Sequence, residues 1–208
     1  KDAVVMIEHV LLRGGDQEAV LRAPIHPWQN VRKVGEDIVA TEQLFPTHHL
    51  LRPADIGALL TAGCPRVWVR KRPKVVIFPT GTELVTADNL AQTPAPGAII
   101  EANSGVLAAL VARAGGAPTV APIIADDYET IKEHLLAAVS SDADMVVINA
   151  GSSSGSADYT VQLIEELGEV LVHGVTIMPG KPTILGVIAG KPVIGNPGYP
   201  VSALISCE

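Results

Sequence analysis

The strongest chemical feature of the sequence is AGSSSGSADYT, residues 150–160. Gly151 and Gly155 let the chain turn sharply and approach a ligand. The hydroxyls of Ser152, Ser153 and Ser154, with nearby backbone amides, can donate to phosphate oxygens. Placed at a helix N-terminus, such a loop is an oxyanion cradle. Asp158, at the start of the helix that follows, can cap that helix or give a hard oxygen ligand to a divalent cation shared with a phosphate. A glycine and serine loop also serves as a plain connection, and this one is neither a Walker loop nor a GxGxxG turn. A second polar loop, PTGTEL at 79–84, offers Thr80, Gly81, Thr82 and Glu83 as binding groups. In the plain alternative Thr80 is a capping hydroxyl and Glu83 a helix-entry acid. In MPGKP, residues 178–182, Pro179, Gly180 and Pro182 hold Lys181 in a stiff turn. A solvated lysine needs no such frame, whereas one that holds an anion gains from pre-organisation. GNPGYPVSAL at 195–204 again sets a Gly/Pro turn before an apolar helix, with Ser202 either lining the same site or packing within that helix. Glu36, in the GED triplet, is by itself a solvated loop acid. His48 and His49 are adjacent, so on an extended chain they point to opposite sides and do not chelate together.

These loops need a frame, and the segments between them supply one. KVVIFPT (74–80) is a continuous apolar strand, NSGVLAALVARAGG (103–116) a helix with Asn103 or Ser104 as N-cap and glycines at its end, and PTVAPIIAD (118–126) a strand. DYETIKEHLLAAVSS (127–141) follows as an amphipathic helix, DMVVINAG (144–151) as a strand and DYTVQLIEELG (158–168) as a helix. EVLVHGVTI, TILGVIAG and KPVIGN then read as strands. The succession predicts an α/β fold: a doubly wound, mostly parallel sheet with helices on both faces. In a parallel sheet the carboxyl ends of the strands share one edge, so the 79–84 loop and the serine loop are expected to face one crevice. Residues 1–72 differ. Short β-prone runs broken by Gly14-Gly15, Pro24 and Pro27 predict a smaller β-rich segment and linker, in which PADIGALLTA (53–62) is a short helix between Pro53 and Gly63. The domain reading is therefore a partial β-rich region at 1–72 and an α/β domain at 73–208.

Bulk properties narrow the function classes. Fifteen Lys and Arg against 22 Asp and Glu give a net charge of −7, and with 3% aromatic residues the chain is a poor nucleic-acid binder. An anionic ligand needs a local basic or amide-lined site. Apolar runs such as VLAALVA (106–112) fall well short of the ~20 residues of a bilayer span, and the first residues do not read as a secretory signal. Cys64 and Cys207 lack the spacing of a disulfide framework or a zinc site, which fits a reducing cytoplasm.

Taken in order and at these intervals, PTGTEL, GSSSGSADYT, MPGKP and GNPGYPVSAL resemble the molybdopterin-binding domain of the molybdopterin molybdenumtransferases. DAVVMIE and NVRKVGEDI resemble stretches that precede that domain, so the likeness covers nearly the whole chain. The resemblance implies insertion of molybdate or tungstate into adenylylated molybdopterin, with magnesium supporting release of AMP. It implies catalytic roles for Glu36, Asp158 and Lys181, with Asp158 also the metal ligand. Substrate binding would fall to Thr80, Gly81, Thr82, Glu83, Gly151, Ser152, Ser153, Ser154, Gly155, Pro179, Gly180 and Ser202. It further implies a chain that is incomplete at both ends and a homodimeric full-length protein. Three positions depart from the family pattern: Thr82 replaces an Asp, Ser152 a glycine and Met178 a basic residue. Two alternatives remain open. A molybdopterin adenylyltransferase shares the α/β domain, but residues 1–72 with GED argue against it. A molybdopterin-binding module without turnover is favoured by Thr82 and Met178.

Overall fold

The computed structural model describes residues 2–15, 17–87, 96–150 and 156–208, and of residues 156–158 the backbone alone. The chain divides into two compact units, Lys1–Val69 and Arg70–Glu208.

In the first unit Gly14 and Gly15, both at positive φ, close an antiparallel hairpin between β1 (Val10–Arg13) and β2 (Glu18–Leu21). A short 3-10 turn, Ile7–His9, leads into β1, so the first residues are not a continuous strand. Helix α1 (Pro53–Thr61) starts at its proline and stops at Gly63, whose φ of 77° lets the chain reverse while its N–H bonds back to Leu60 O. Asp55, 3% exposed, sits in the first turn and accepts from the backbone N–H of Arg52 (2.8 Å), from the Arg52 guanidinium (3.0 and 3.2 Å) and from His49 Nε2 (2.8 Å). Phe45 stacks on the His49 ring at 4.7 Å between centroids. His49 is thus spent on pinning a loop to α1.

The Arg52 side chain, its backbone N–H and His49 together hold the Asp55 carboxyl well below the usual carboxylate range. Because the folded state lowers this pKa, its stabilising contribution is complete above the unfolded value of about 3.9 and drains away as pH falls below it. Asp55→Asn should lower the urea midpoint of this unit at pH 7 and flatten the loss of stability that the native protein shows on acidification. Both tryptophans, Trp28 and Trp68, lie in this unit, so their fluorescence reports it. An unchanged midpoint in the variant would make the cluster incidental.

The second unit is built on β3 (Lys74–Thr80), β6 (Ala117–Val120), β7 (Met145–Ala150), β8 (Gly168–His173), β9 (Ile184–Ile188) and β10 (Lys191–Asn196). They form one sheet in the order β6-β3-β7-β10-β9-β8. Pairings β6/β3, β3/β7 and β7/β10 are parallel, while β9 runs antiparallel to both its neighbours. Two residues each, β4 (Leu84–Val85) and β5 (Ile99–Ile100) pair separately. Side chains alternate across the strands. Phe78, Val146, Ile148 and Val193 pack on one face with α3 (Tyr128–Ser140) and α4 (Ser156–Leu167). Val75, Ile77 and Val147 pack on the other with α2 (Asn103–Arg113), beside Cys207 of α5 (Pro200–Cys207). Burial on both faces explains why these strands read as unbroken apolar runs.

The strand expected at 118–126 is shorter in its regular part. Beyond Val120 the chain stays beside β3 through single bonds, Ala121 N–H to Ile77 O and Ile124 N–H to Pro79 O. Asp127 then caps α3, accepting from the Thr130 N–H at 2.9 Å and its hydroxyl at 2.7 Å, bonds that hold its carboxyl below its ordinary value.

Candidate functional site

From β3 the chain crosses to β6 on one side and then returns to β7 on the other side of β3. Strand order reverses there, and in open α/β sheets ligands bind outside the carboxyl ends of the strands at such a switch point. The last residues of β3 and β7, Thr80 and Ala150, are register partners. The 79–84 loop and the root of the serine loop are therefore neighbours, as two polar loops on one crevice require. The α4 backbone begins at Ser156, directly after the serine loop. Gly151, Ser152, Ser153, Ser154 and Gly155 lie outside the described residues, as does the side chain of Asp158.

Within the 79–84 loop the structure separates the candidates. Thr80 is fully buried, and its hydroxyl donates to Asn149 O at 3.4 Å, tying β3 to β7 rather than facing outward. Gly81 donates its N–H to Ile124 O at 3.1 Å. A Cβ there would lie 2.9 Å from Leu84 Cγ and 3.0 Å from a carboxylate oxygen of Glu83, so only glycine admits this approach. Glu83 is half-buried and leads into β4, not into a helix, while Thr82 is exposed.

Because β8 runs in the same direction as β10, the excursion between β8 and β9 leaves from the same carboxyl edge. It is a closed loop. Gly174 N–H bonds to Thr183 O (2.9 Å), Val175 N–H to Lys181 O (2.9 Å), and the Thr183 hydroxyl to Gly180 O (2.7 Å). Gly180 has φ 121°, and a Cβ on it would lie 2.6 Å from Ser206 Oγ of α5, so the loop is seated on that helix. Pro179 follows a cis peptide bond, and Lys181 projects from the loop exposed, with no ion-pair partner among the described residues. Met178 is almost fully exposed and contributes no charge. Ser202 is buried in the first turn of α5, the helix that follows β10.

Glu36 belongs to the first unit. Its Oε2 accepts from the Lys33 N–H at 2.9 Å within a tight turn, beside an exposed Arg32–Asp37 ion pair at 2.7 Å. The carboxylate itself is exposed. Among the described residues no group of three or more His, Cys, Asp or Glu could hold a metal ion, and no helix is long and apolar enough to cross a membrane. Of three asparagines at this edge, the motifs give Asn103 only as a candidate cap, though it is the first residue of α2 behind Ala102 at the N-cap, and they are silent on Asn149 and Asn196. The only signal for these two is a polar residue near the end of an apolar strand.

Residues 76–208 match the family model described as "Probable molybdopterin binding domain", and residues 1–63 match that of the "MoeA N-terminal region (domain I and II)". A molybdopterin molybdenumtransferase of Nostoc is 34% identical over 209 residues, covering 99% of this chain and 47% of the relative. Molybdopterin molybdenumtransferase 2 of Mycobacterium tuberculosis is 32% identical over 205 residues, covering 94% and 49%. The crystal structure of a molybdopterin biosynthesis MoeA protein from Pyrococcus horikosii superposes with a TM-score of 0.74 at 39% identity, covering 97% of this chain and 49% of that one. The chain spans about half the length of the curated relatives it matches.

Proposed function

Because the chain belongs to the molybdopterin molybdenumtransferase family, we propose that it is the substrate-binding core of an enzyme of molybdenum cofactor biosynthesis. The reaction is insertion of molybdate or tungstate into adenylylated molybdopterin, with release of AMP. One observation carries this reading: Thr80 and Ala150 end neighbouring parallel strands where strand order reverses, so the 79–84 loop leaves the sheet beside the root of the serine loop. The serine loop would hold the phosphates through backbone amides and hydroxyls at the start of α4. Lys181, on a loop tied by its own hydrogen bonds, would hold the tetrahedral oxyanion without first having to leave an ion pair. Magnesium usually binds through one or two carboxylates plus substrate phosphates, so a cluster of acids is not required. Half-buried Glu83 beside Gly81, with Asp158 at the start of α4, fits that donor set. The ion would neutralise charge on the departing phosphate. Glu36 is assigned to metal insertion, and the full-length protein is proposed to work as a cytoplasmic homodimer.

Two variants of the full-length protein test the division of roles. Gly151→Val should abolish binding of adenylylated molybdopterin while leaving far-UV circular dichroism unchanged. Glu36→Gln should keep that binding and lower metal insertion by about 100-fold, within the range for loss of a placed acid or base. Unchanged affinity in the first, or unchanged insertion in the second, removes that residue from its role. The exposed, uncharged Met178 favours a second reading, a binding module without turnover. It predicts binding without insertion by the native protein.

A further inference from the structure

Two central strands of the sheet carry an asparagine at their carboxyl end, Asn149 as the last residue but one of β7 and Asn196 as the last of β10. Asn149 and Asn196 are register partners across β7 and β10, and they are 3% and 2% exposed. Through Nδ2, Asn196 donates to Asn149 Oδ1 at 3.4 Å and to the backbone oxygen of Ala203 at 3.3 Å. A backbone oxygen can only accept, so Nδ2 is the atom that faces α5. The Oδ1 of Asn196 is buried with no hydrogen-bond partner among the described residues. Asn103, the first residue of α2, donates to Gly198 O at 2.7 Å, in the loop between β10 and α5.

Burying amides at the ends of strands that are otherwise apolar is costly, and leaving one oxygen without a donor adds to that cost. Valine or leucine would fill the space without it. What the amides provide is one defined arrangement, since each bond fixes direction as well as distance. Ala203 belongs to the same helix as Ser206, the residue against which Gly180 of the Lys181 loop is seated. We infer that Asn196, with Asn149 and Asn103, is a positioning residue: it locks α5 and the 197–199 loop to the end of β7, and so fixes the seat of the loop that presents Lys181 to the oxyanion. This inference rests on the function proposed above.

Asn196→Asp keeps the shape of the side chain but replaces its donor by oxygen. Above its pKa the carboxylate faces two acceptors, and burial raises that pKa. Below it, the protonated acid can donate one of the two lost bonds. The test is molybdate affinity by calorimetry on the full-length protein at pH 6.5 and 8.5, expressed as a ratio to the wild type at each pH. The variant should bind roughly tenfold more weakly at pH 8.5 and recover most of that loss at pH 6.5. Asn196→Leu should be weakened at both pH values without recovery, with folding checked by circular dichroism. Wild-type affinity in folded Asn196→Asp overturns the inference alone. So does a loss equal to that of Asn196→Leu at both pH values, which would make the amide mere packing. If Asn196→Asp does not fold, Asn103→Ala decides: weaker molybdate binding supports the lock, and wild-type affinity overturns it. Absence of molybdate binding by the wild type would overturn this inference together with the reading beneath it.

Discussion

Replacing Lys181 by alanine is expected to weaken molybdate or tungstate binding by about 1.5 to 3 kcal/mol, roughly 10- to 150-fold, the range for a hydrogen bond to a charged group. The loop that carries the lysine does not depend on its side chain. Its closure uses the backbone oxygen of Lys181, the Thr183 hydroxyl and the seating of Gly180 on Ser206. Alanine therefore removes the charge and leaves the loop in place. The ammonium is exposed, so salt screens it, and the difference between the two proteins should shrink as ionic strength rises. Lys181→Arg should keep part of the affinity, because the charge remains while the single point donor becomes a planar fork. Calorimetry at fixed ionic strength that gives equal affinities for the native and alanine proteins would exclude Lys181 from the site.

The largest expected stability effect is Ile148→Ala, about 2 to 5 kcal/mol, the usual span for a large aliphatic side chain removed from a packed core. Ile148 is fully buried in β7, between β3 and β10, and packs with the residues of α3 and α4. The second unit holds neither tryptophan and most of the helix, so a circular dichroism transition that moves while the tryptophan fluorescence of the first unit does not reports the second unit. The urea midpoint should fall with little change in slope. Ile56→Ala, on a helix face where the side chain is 54% exposed, should stay within about 0.5 kcal/mol of the native protein. A loss below about 1 kcal/mol for Ile148→Ala would contradict the packed central strand.

Much of this architecture was legible along the chain. Pro53 and Gly63 bracket α1, Pro200 opens α5, and the apolar run 74–80 is β3 residue for residue. The direction of β9 was not. Its apolar pattern is the same whichever way it runs, and what reverses it is a two-residue connection, Ala189-Gly190, with both residues at positive φ. That turn matches the twist of an antiparallel pair, but its alanine is not a residue that announces such a turn. The strand expected at 169–177 stops at His173 because Gly174, at φ 84°, bends the chain into the loop that carries Lys181.

The order of the elements and the chemistry offered by each loop can be read along the chain, because helix caps, turn residues and apolar runs are properties of short windows. How those groups are used depends on what packing brings beside them. Thr80 reads as a binding group or a capping hydroxyl, yet register with Asn149 and Ala150 turns it into a strand-to-strand tie. His49 reads as half of a histidine pair, yet Asp55 and Phe45 claim it for the fold. Asn149 and Asn196 stand 47 positions apart and touch only because β7 and β10 align in register. Register between distant strands is set by the summed packing of both sheet faces, and no window of sequence contains that sum.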